Sequence, residues 1–236
     1  MDQYSNNSYQ FSFRHKQCKK YFCRNLYFWE ILIIIIIFIS ECKLIFVDQY
    51  YEGAIYILII AGIICIPWMI YKIKFRIPGD TWYDDQCFAY IDDIEKEAAE
   101  NCGVVHLSNE IFTRLTIGGY SGINVKRIKR GKDGKSRSEA AEITVMFFLS
   151  DSVRYYSIKF YVLKKGGIAR NIGTIYYKDI MSVNYVDEIV VNKNSNCAFK
   201  TLKLIMNNGN TYEFAADEDS ETERAITIFT NTIAKP

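Results

Sequence analysis

The sequence predicts an N-terminal two-helix transmembrane hairpin followed by a mostly β (α+β) domain on the cytosolic side. Three observations carry this prediction. Long apolar runs lie almost entirely between residues 26 and 71 of the 236-residue chain. Short segments rich in β-branched and aromatic residues follow from residue 142 onward, as is typical of strands. After the last of them, apolar residues recur at the spacing of an amphipathic helix.

The second apolar run predicts a membrane span. Residues 53–71 carry no charged side chain, and about 20 apolar residues cross a bilayer core. The first run, 31–39, reaches that length only if the helix extends to about 26–46 and so includes Glu30 and Glu41 away from its centre. We expect spans at about 26–46 and 53–72. The alternative is a signal peptide followed by one anchor, but no small-residue cleavage site follows the first run.

Basic residues predict the orientation of this hairpin. They flank it on one side only: Arg14, Lys16, Lys19, Lys20 and Arg24 before it, and Lys72, Lys74 and Arg76 after it. The intervening loop, 47–53, has two acids and no base. Positive charge stays in the cytosol, so a multi-pass protein of the plasma membrane with both termini cytosolic is expected. The predicted organisation is a basic, partly disordered tail (1–25), the hairpin (26–74), an acidic helical linker region (75–117) and a β domain (118–236).

The acidic linker region predicts one helix over 81–101, because Phe88, Ile91 and Ala98 share one helical face. The acids Asp92 and Asp93 suggest a metal site. No second ligand cluster accompanies them, so a solvated helix face is favoured and neither a metal nor a cofactor is expected.

The β domain shows the patterns of strands, turns and a final helix. Expected strands are 142–149, 153–163, 172–177, 182–186, 187–191, 199–206 and 211–214. Asn208-Gly209 is a hairpin-turn signal, and Ser220 begins a capping-box pattern before the last helix. This order predicts a small barrel whose open end is plugged by a C-terminal helix.

Several segments carry a resemblance to a known family. They are 147–151 (FFLSD), 155–157 (YYS), 176–183 (YYKDIMSV, with a Y-x-D-I-x-x-V pattern) and 209–214 (GNTYEF), preceded by Gly119-Tyr120 and the basic run 130–137. About residues 120–233 resemble the pleckstrin-homology-like (PH-like, GRAM-like) domains of uncharacterised bacterial membrane-anchored proteins. The resemblance implies a PH-like fold and a bacterial cell membrane. Its motifs are structural, so it implies no activity.

No catalytic constellation is present, and an enzyme is not expected. The glycines of 118–122 lack the lysine and the strand–helix context of a phosphate-binding loop. The candidate site is instead a basic stretch with glycines at 131 and 134 that would let an anion approach. Its residues are Lys126, Arg127, Lys129, Arg130, Lys132, Lys135 and Arg137. The alternative is a solvated loop near an anionic membrane surface.

The sequence leaves two functions open. In the first, a tethered, non-enzymatic PH-like module binds a protein, a peptide or an anionic lipid headgroup beside the bilayer. In the second, the β domain senses a small ligand and drives the two-helix unit to oligomerise or to perturb the membrane. Charged residues within the spans favour helix association slightly. A nucleic-acid partner is not favoured, because the basic stretch lacks interleaved aromatics.

Overall fold

The computed structural model describes residues 15–22, 78–106, 111–164, 167–192 and 195–233. The chain divides into two compact units: Lys16–Gly79, and Asp80–Pro236 together with Met1–His15. The described part of the smaller unit is mainly helix α1, His15–Phe22, in which Cys18 and Tyr21 are buried. The larger unit holds every other element described below.

Two helices begin the larger unit where one was predicted. Helix α2 is Asp80–Phe88 and helix α3 is Ile91–Asn101. Buried positions on the two helices, such as Cys87 and Ile94, keep the seven-residue spacing of one continuous helix. The pattern therefore could not reveal the break at residues 89–90.

A four-stranded antiparallel sheet follows. Its strands are β1 (Thr113–Tyr120), β4 (Ala140–Phe148), β5 (Ser152–Tyr161) and β6 (Ile168–Tyr176), in the order β1-β4-β5-β6. Strands β2 (Ile128–Arg130) and β3 (Ser136–Ser138) form a separate hairpin between β1 and β4 in the chain. The central strands β4 and β5 are buried over nearly their whole length, so both faces of this sheet are covered.

A second sheet contains three antiparallel strands in the order β7-β8-β9. After a 3₁₀ turn at Tyr177–Asp179 come β7 (Ile180–Asn192), β8 (Ser195–Met206) and β9 (Thr211–Ala215). The predicted strands 182–186 and 187–191 are thus one strand. Because β9 pairs only with residues 201–205 of β8, residues 187–192 and 195–200 continue as a two-stranded ribbon, which we call the arm. The predicted turn is confirmed: Gly209 has a φ of +83°.

The hydrophobic core lies between the two sheets and helix α4 (Ser220–Ile233), which packs against both β1 and β7. The Phe229 ring lies 5.2 Å from that of Phe148. Helix α3 packs on the opposite face of the four-stranded sheet, against β4 and β5. The cap of α4 differs from the predicted one, because the Asp219 carboxylate accepts the Thr222 amide hydrogen bond at 2.8 Å.

The predicted barrel is wrong. The described strands form two open sheets and a hairpin, with no closed barrel among them. The reason lies at the sheet edges. No described strand pairs with the outer edge of β1 or of β7, and helix α4 packs against both of these strands. A helix contributes side-chain packing there, whereas closure would need backbone hydrogen bonds between strands.

The predicted transmembrane architecture is also corrected. In the described ranges no helix is long and apolar enough to cross a membrane; their helices run from 8 to 14 residues, whereas a span needs about 20. The predicted spans, about 26–46 and 53–72, lie outside those ranges. On this finding the transmembrane hairpin and the multi-pass plasma-membrane location with cytosolic termini are not supported.

Candidate binding cleft

The predicted basic stretch folds as the β2–β3 hairpin and the segment before it. Lys126 and Arg127 precede β2 in an irregular segment, in which Asn124 has a left-handed φ of 59°. The tip of the hairpin turns at Gly134, whose φ is +83°. Five of the seven bases therefore lie on this hairpin, and Lys126 and Arg127 lie on the segment before it.

Arg137 is an internal clamp. Its side chain is buried, and its guanidinium donates to both carboxylate oxygens of Asp84 at 2.7 and 2.6 Å and to both of Asp133 at 2.8 and 2.6 Å. The hydroxyl of Tyr120 donates to Asp84 at 2.6 Å. The hydrogen bond from Arg137 lowers the pKa of Asp133 to about 2. The clamp fastens the hairpin to helix α2, and its positive charge is compensated inside the protein.

Two more bases of the stretch are held in ion pairs. Lys129 Nζ lies 3.9 Å from Asp80, and Lys135 Nζ lies 3.6 Å from Asp217. The carboxylate of Asp80 also accepts the Lys132 backbone amide at 2.7 Å. The other four basic side chains have no ion pair with a described residue. The structure thus does not present the seven bases as one uncompensated cationic surface.

A solvent-open cleft of about 400 Å³ lies beside this hairpin. It is bounded by the hairpin, by the arm, and by the loop between β9 and α4. Of the seven predicted residues, only Arg130 and Lys135 line it. Its other lining residues are Tyr120, Asp133, Gly134, Ser136, Asp187, Asn196, Ala198, Phe199, Lys200, Asp217 and Glu218.

Gly122 allows the arm to form one wall of the cleft. A Cβ at this position would lie 2.6 Å from both Phe199 Cδ2 and Val190 Cγ2. These distances are well below van der Waals contact, so only glycine lets the arm approach the chain after β1 this closely. Phe199 is consequently buried at the base of the arm, while its neighbour Ala198 remains exposed.

The cleft contains charges of both signs, most of them paired. Lys200 binds Glu218 at 3.0 Å, and Lys135 binds Asp217. Burial raises the pKa of Asp217, and the nearby Lys135 opposes this shift. The ring of Tyr185 lies beneath Lys200, with its centroid 5.4 Å from Lys200 Nζ. Burial, reinforced by the acids around it, raises the pKa of that tyrosine, which therefore stays a neutral hydroxyl.

Sequence reasoning missed most of this cleft. Asp187, Phe199, Lys200 and Asp217 come from strands and loops far from the basic stretch in the chain. The one available signal is the pairing of Asp187 opposite Lys200 on β7 and β8, which opposite charges favour. That signal predicts strand register and does not indicate a site.

Other polar clusters fasten elements together. Glu97 on α3 accepts from the Tyr156 hydroxyl at 2.5 Å and from Arg170 Nε at 2.9 Å. Glu95, close to the acids that suggested a metal site, bonds Arg114 at 3.0 Å and Thr116 at 2.6 Å. Across the part of the chain that the structure describes, no group of three or more histidine, cysteine or acidic residues could hold a metal ion.

Comparison with known proteins adds no family to this geometry. The chain matches no protein-family model and no curated protein. What it binds must therefore be argued from the cleft itself.

Proposed function

We propose that the chain is a non-enzymatic interaction module with a PH-like domain, whose cleft binds a segment of another protein. The observation that carries the proposal is the cleft between the hairpin, the arm and the β9–α4 loop. Its volume of about 400 Å³ falls within the range of about 300–1,000 Å³ typical of ligand sites. It combines the aromatic residues Tyr120 and Phe199 with charged side chains, as protein interfaces do.

The order of elements supports the PH-like assignment. Four antiparallel strands precede three more, and the final helix α4 packs against strands of both sheets. The resemblance of about residues 120–233 implies about seven antiparallel strands followed by a final helix. The hairpin β2–β3 and helices α2 and α3 are additions to it, and the clamp at Arg137 joins them.

The charges favour a protein segment over an anionic lipid headgroup. A phosphate group is best bound by several uncompensated cations. Lys129, Lys135 and Arg137 already have carboxylate partners, and four acids line the cleft. Protein segments carry both signs of charge together with apolar side chains, which matches this lining.

The test fills the cleft with a bulky side chain. A random-peptide display library is selected on the full-length chain, and the affinities of enriched peptides are measured by fluorescence anisotropy for wild type and Ala198→Trp. Because Ala198 is exposed and lines the cleft, the added indole should weaken binding by about tenfold or more, equivalent to about 1.4 kcal/mol.

Ala169→Trp is the matched control, since Ala169 is exposed on β6 and does not line the cleft. It should leave the affinities within about twofold. Equal effects of the two variants would place binding elsewhere. If no peptide is enriched while vesicles of anionic lipid bind the chain, and Ala198→Trp abolishes that binding, the cleft is a headgroup site and the proposal fails.

A further inference from the structure

The structure indicates which peptides the cleft would accept, an inference that rests on the proposed function. We infer that the cleft selects a segment in which a positive and a negative residue flank apolar side chains. The charges in the cleft that have no ion pair with a described residue support this inference.

Most cleft charges already have partners. Lys135 is paired with Asp217, and Lys200 with Glu218, at 3.6 and 3.0 Å. The carboxylate of Asp133 is bound by the buried guanidinium of Arg137 at 2.6 Å. A ligand that bound one member of such a pair would leave the other member without its partner. The paired charges therefore contribute little attraction for a ligand.

Two opposite charges in the cleft have no ion pair with a described residue: Arg130 and Asp187. Arg130 ends β2 on the hairpin wall, and its Nε donates to the Gly134 carbonyl at 3.2 Å, which orients the guanidinium without neutralising it. Asp187 is exposed at the base of the arm. One wall of the cleft therefore attracts an anion and the other a cation, so a ligand with a single sign of charge complements only half of the site.

The apolar part of the ligand would lie along the arm. Ile189 and Val191 are 67% and 76% exposed, and they share a strand face with Asp187 because side chains alternate along β7. Their partners across the arm, Ala198 and Asn196, line the cleft. An apolar strip thus continues from the charged walls toward the end of the arm. This extended, open shape suits a chain segment rather than an enclosed small molecule.

The experiment uses fluorescein-labelled short peptides of equal length and apolar content. In the mixed peptide a lysine and a glutamate flank the apolar residues; in the two single-sign peptides both flanking residues are lysine or both are glutamate. Binding to the full-length chain is followed by anisotropy over a salt series. The mixed peptide should bind about fivefold more tightly than either single-sign peptide, and the difference should shrink with salt, because these are exposed charge contacts.

Charge reversal should change the preference in a defined direction. Arg130→Glu should make the lysine peptide the tightest ligand, and Asp187→Lys should do the same for the glutamate peptide. The double reversal should restore the preference for the mixed peptide. Lys132→Glu and Asp179→Lys are matched controls, since both residues are exposed and lie outside the cleft lining. Neither control should change the order of affinities of the three peptides.

Each remaining outcome overturns the inference. A wild-type preference for the glutamate peptide would make the cleft an anion site, leaving the proposed function intact. If the dipeptide Lys-Glu binds as tightly as the mixed peptide, the site is for small zwitterions. Absence of binding by all three peptides also overturns it, and the library selection then decides separately whether the cleft binds proteins at all.

Discussion

At the scale of single residues, Arg137 shows how its neighbours decide what a charged side chain does. In the sequence it is the last of seven bases in a short stretch. In the structure it is buried at 1% exposure between Asp84 and Asp133, on α2 and the hairpin tip. Burial of an ion triad stabilises little in net terms, but removal of one member leaves charges without partners.

Arg137→Met should therefore destabilise the protein strongly. Loss of the guanidinium leaves two carboxylates uncompensated, and we expect the free energy of unfolding to fall by about 3 kcal/mol, measured by urea denaturation. Arg114→Met is the control, since Arg114 is 53% exposed and pairs with Glu95 at the surface. The Arg114→Met variant should lower the free energy of unfolding by less than about 1 kcal/mol. Similar losses for both variants would contradict the clamp.

Individual residues of the basic stretch also show how much of the candidate site could be predicted from the sequence. The basic composition of the stretch identified Arg130 and Lys135, which do line the cleft. It could not distinguish them from Arg137, because the acids that neutralise a base lie elsewhere in the chain. Asp84, for example, lies on α2 and is far from the hairpin in sequence. Charge type is a property of a residue, whereas charge compensation is a property of its contacts.

At the scale of elements, two adjacent glycines in β1 show how closely this strand approaches the end of β9 on one face and helix α2 on the other. A Cβ on Gly119 would lie 2.7 Å from the backbone nitrogen of Ala216 and 3.0 Å from the carbonyl carbon of Ala215. A Cβ on Gly118, on the other face of the strand, would lie 3.1 Å from the ring of Phe88. Backbone atoms cannot yield as a rotatable ring can, so the two positions tolerate a methyl group differently.

We expect Gly119→Ala to lower the free energy of unfolding by about 1–3 kcal/mol, the usual range for overpacking. Gly118→Ala should lower it by about 1 kcal/mol or less, since the Phe88 ring can move. Thermal or urea unfolding of the two variants, side by side, tests this. If Gly118→Ala lowered the free energy of unfolding more than Gly119→Ala, the close packing of Gly119 against the end of β9 would be contradicted.

At the scale of the whole molecule, helix α4 joins the two open sheets around one core. Phe229 is fully buried and packs against Phe148 of the four-stranded sheet, while α4 also contacts β7 of the other sheet. Among the described strands, none of one sheet pairs with a strand of the other. Side-chain burial under this helix therefore supplies the cohesion that backbone hydrogen bonds would supply in a barrel.

Phe229→Ala should accordingly lower the free energy of unfolding by about 3–5 kcal/mol, because it leaves a cavity at the junction of both sheets. Phe112→Ala serves as the control: its ring also lies near Phe148, at 6.1 Å, but it is 58% exposed. Phe112→Ala should lower the free energy of unfolding by about 1 kcal/mol or less. Chemical denaturation measures both; a small loss for Phe229→Ala would exclude this helix as the closing element.

Local sequence patterns predict the strands from β4 onward, the turn at Gly209 and the final amphipathic helix, whereas β1, β2 and β3 were not predicted. These features depend on local periodicity and on backbone conformations that particular residues favour. Tertiary contacts decide that β7 is one strand, that α2 and α3 are separate and that the described strands form two open sheets. They also decide that Arg137 is paired with Asp84 and Asp133, whereas Arg130 has no ion pair with a described residue. Each of these depends on contacts between residues distant in the chain, and composition and spacing do not record such contacts.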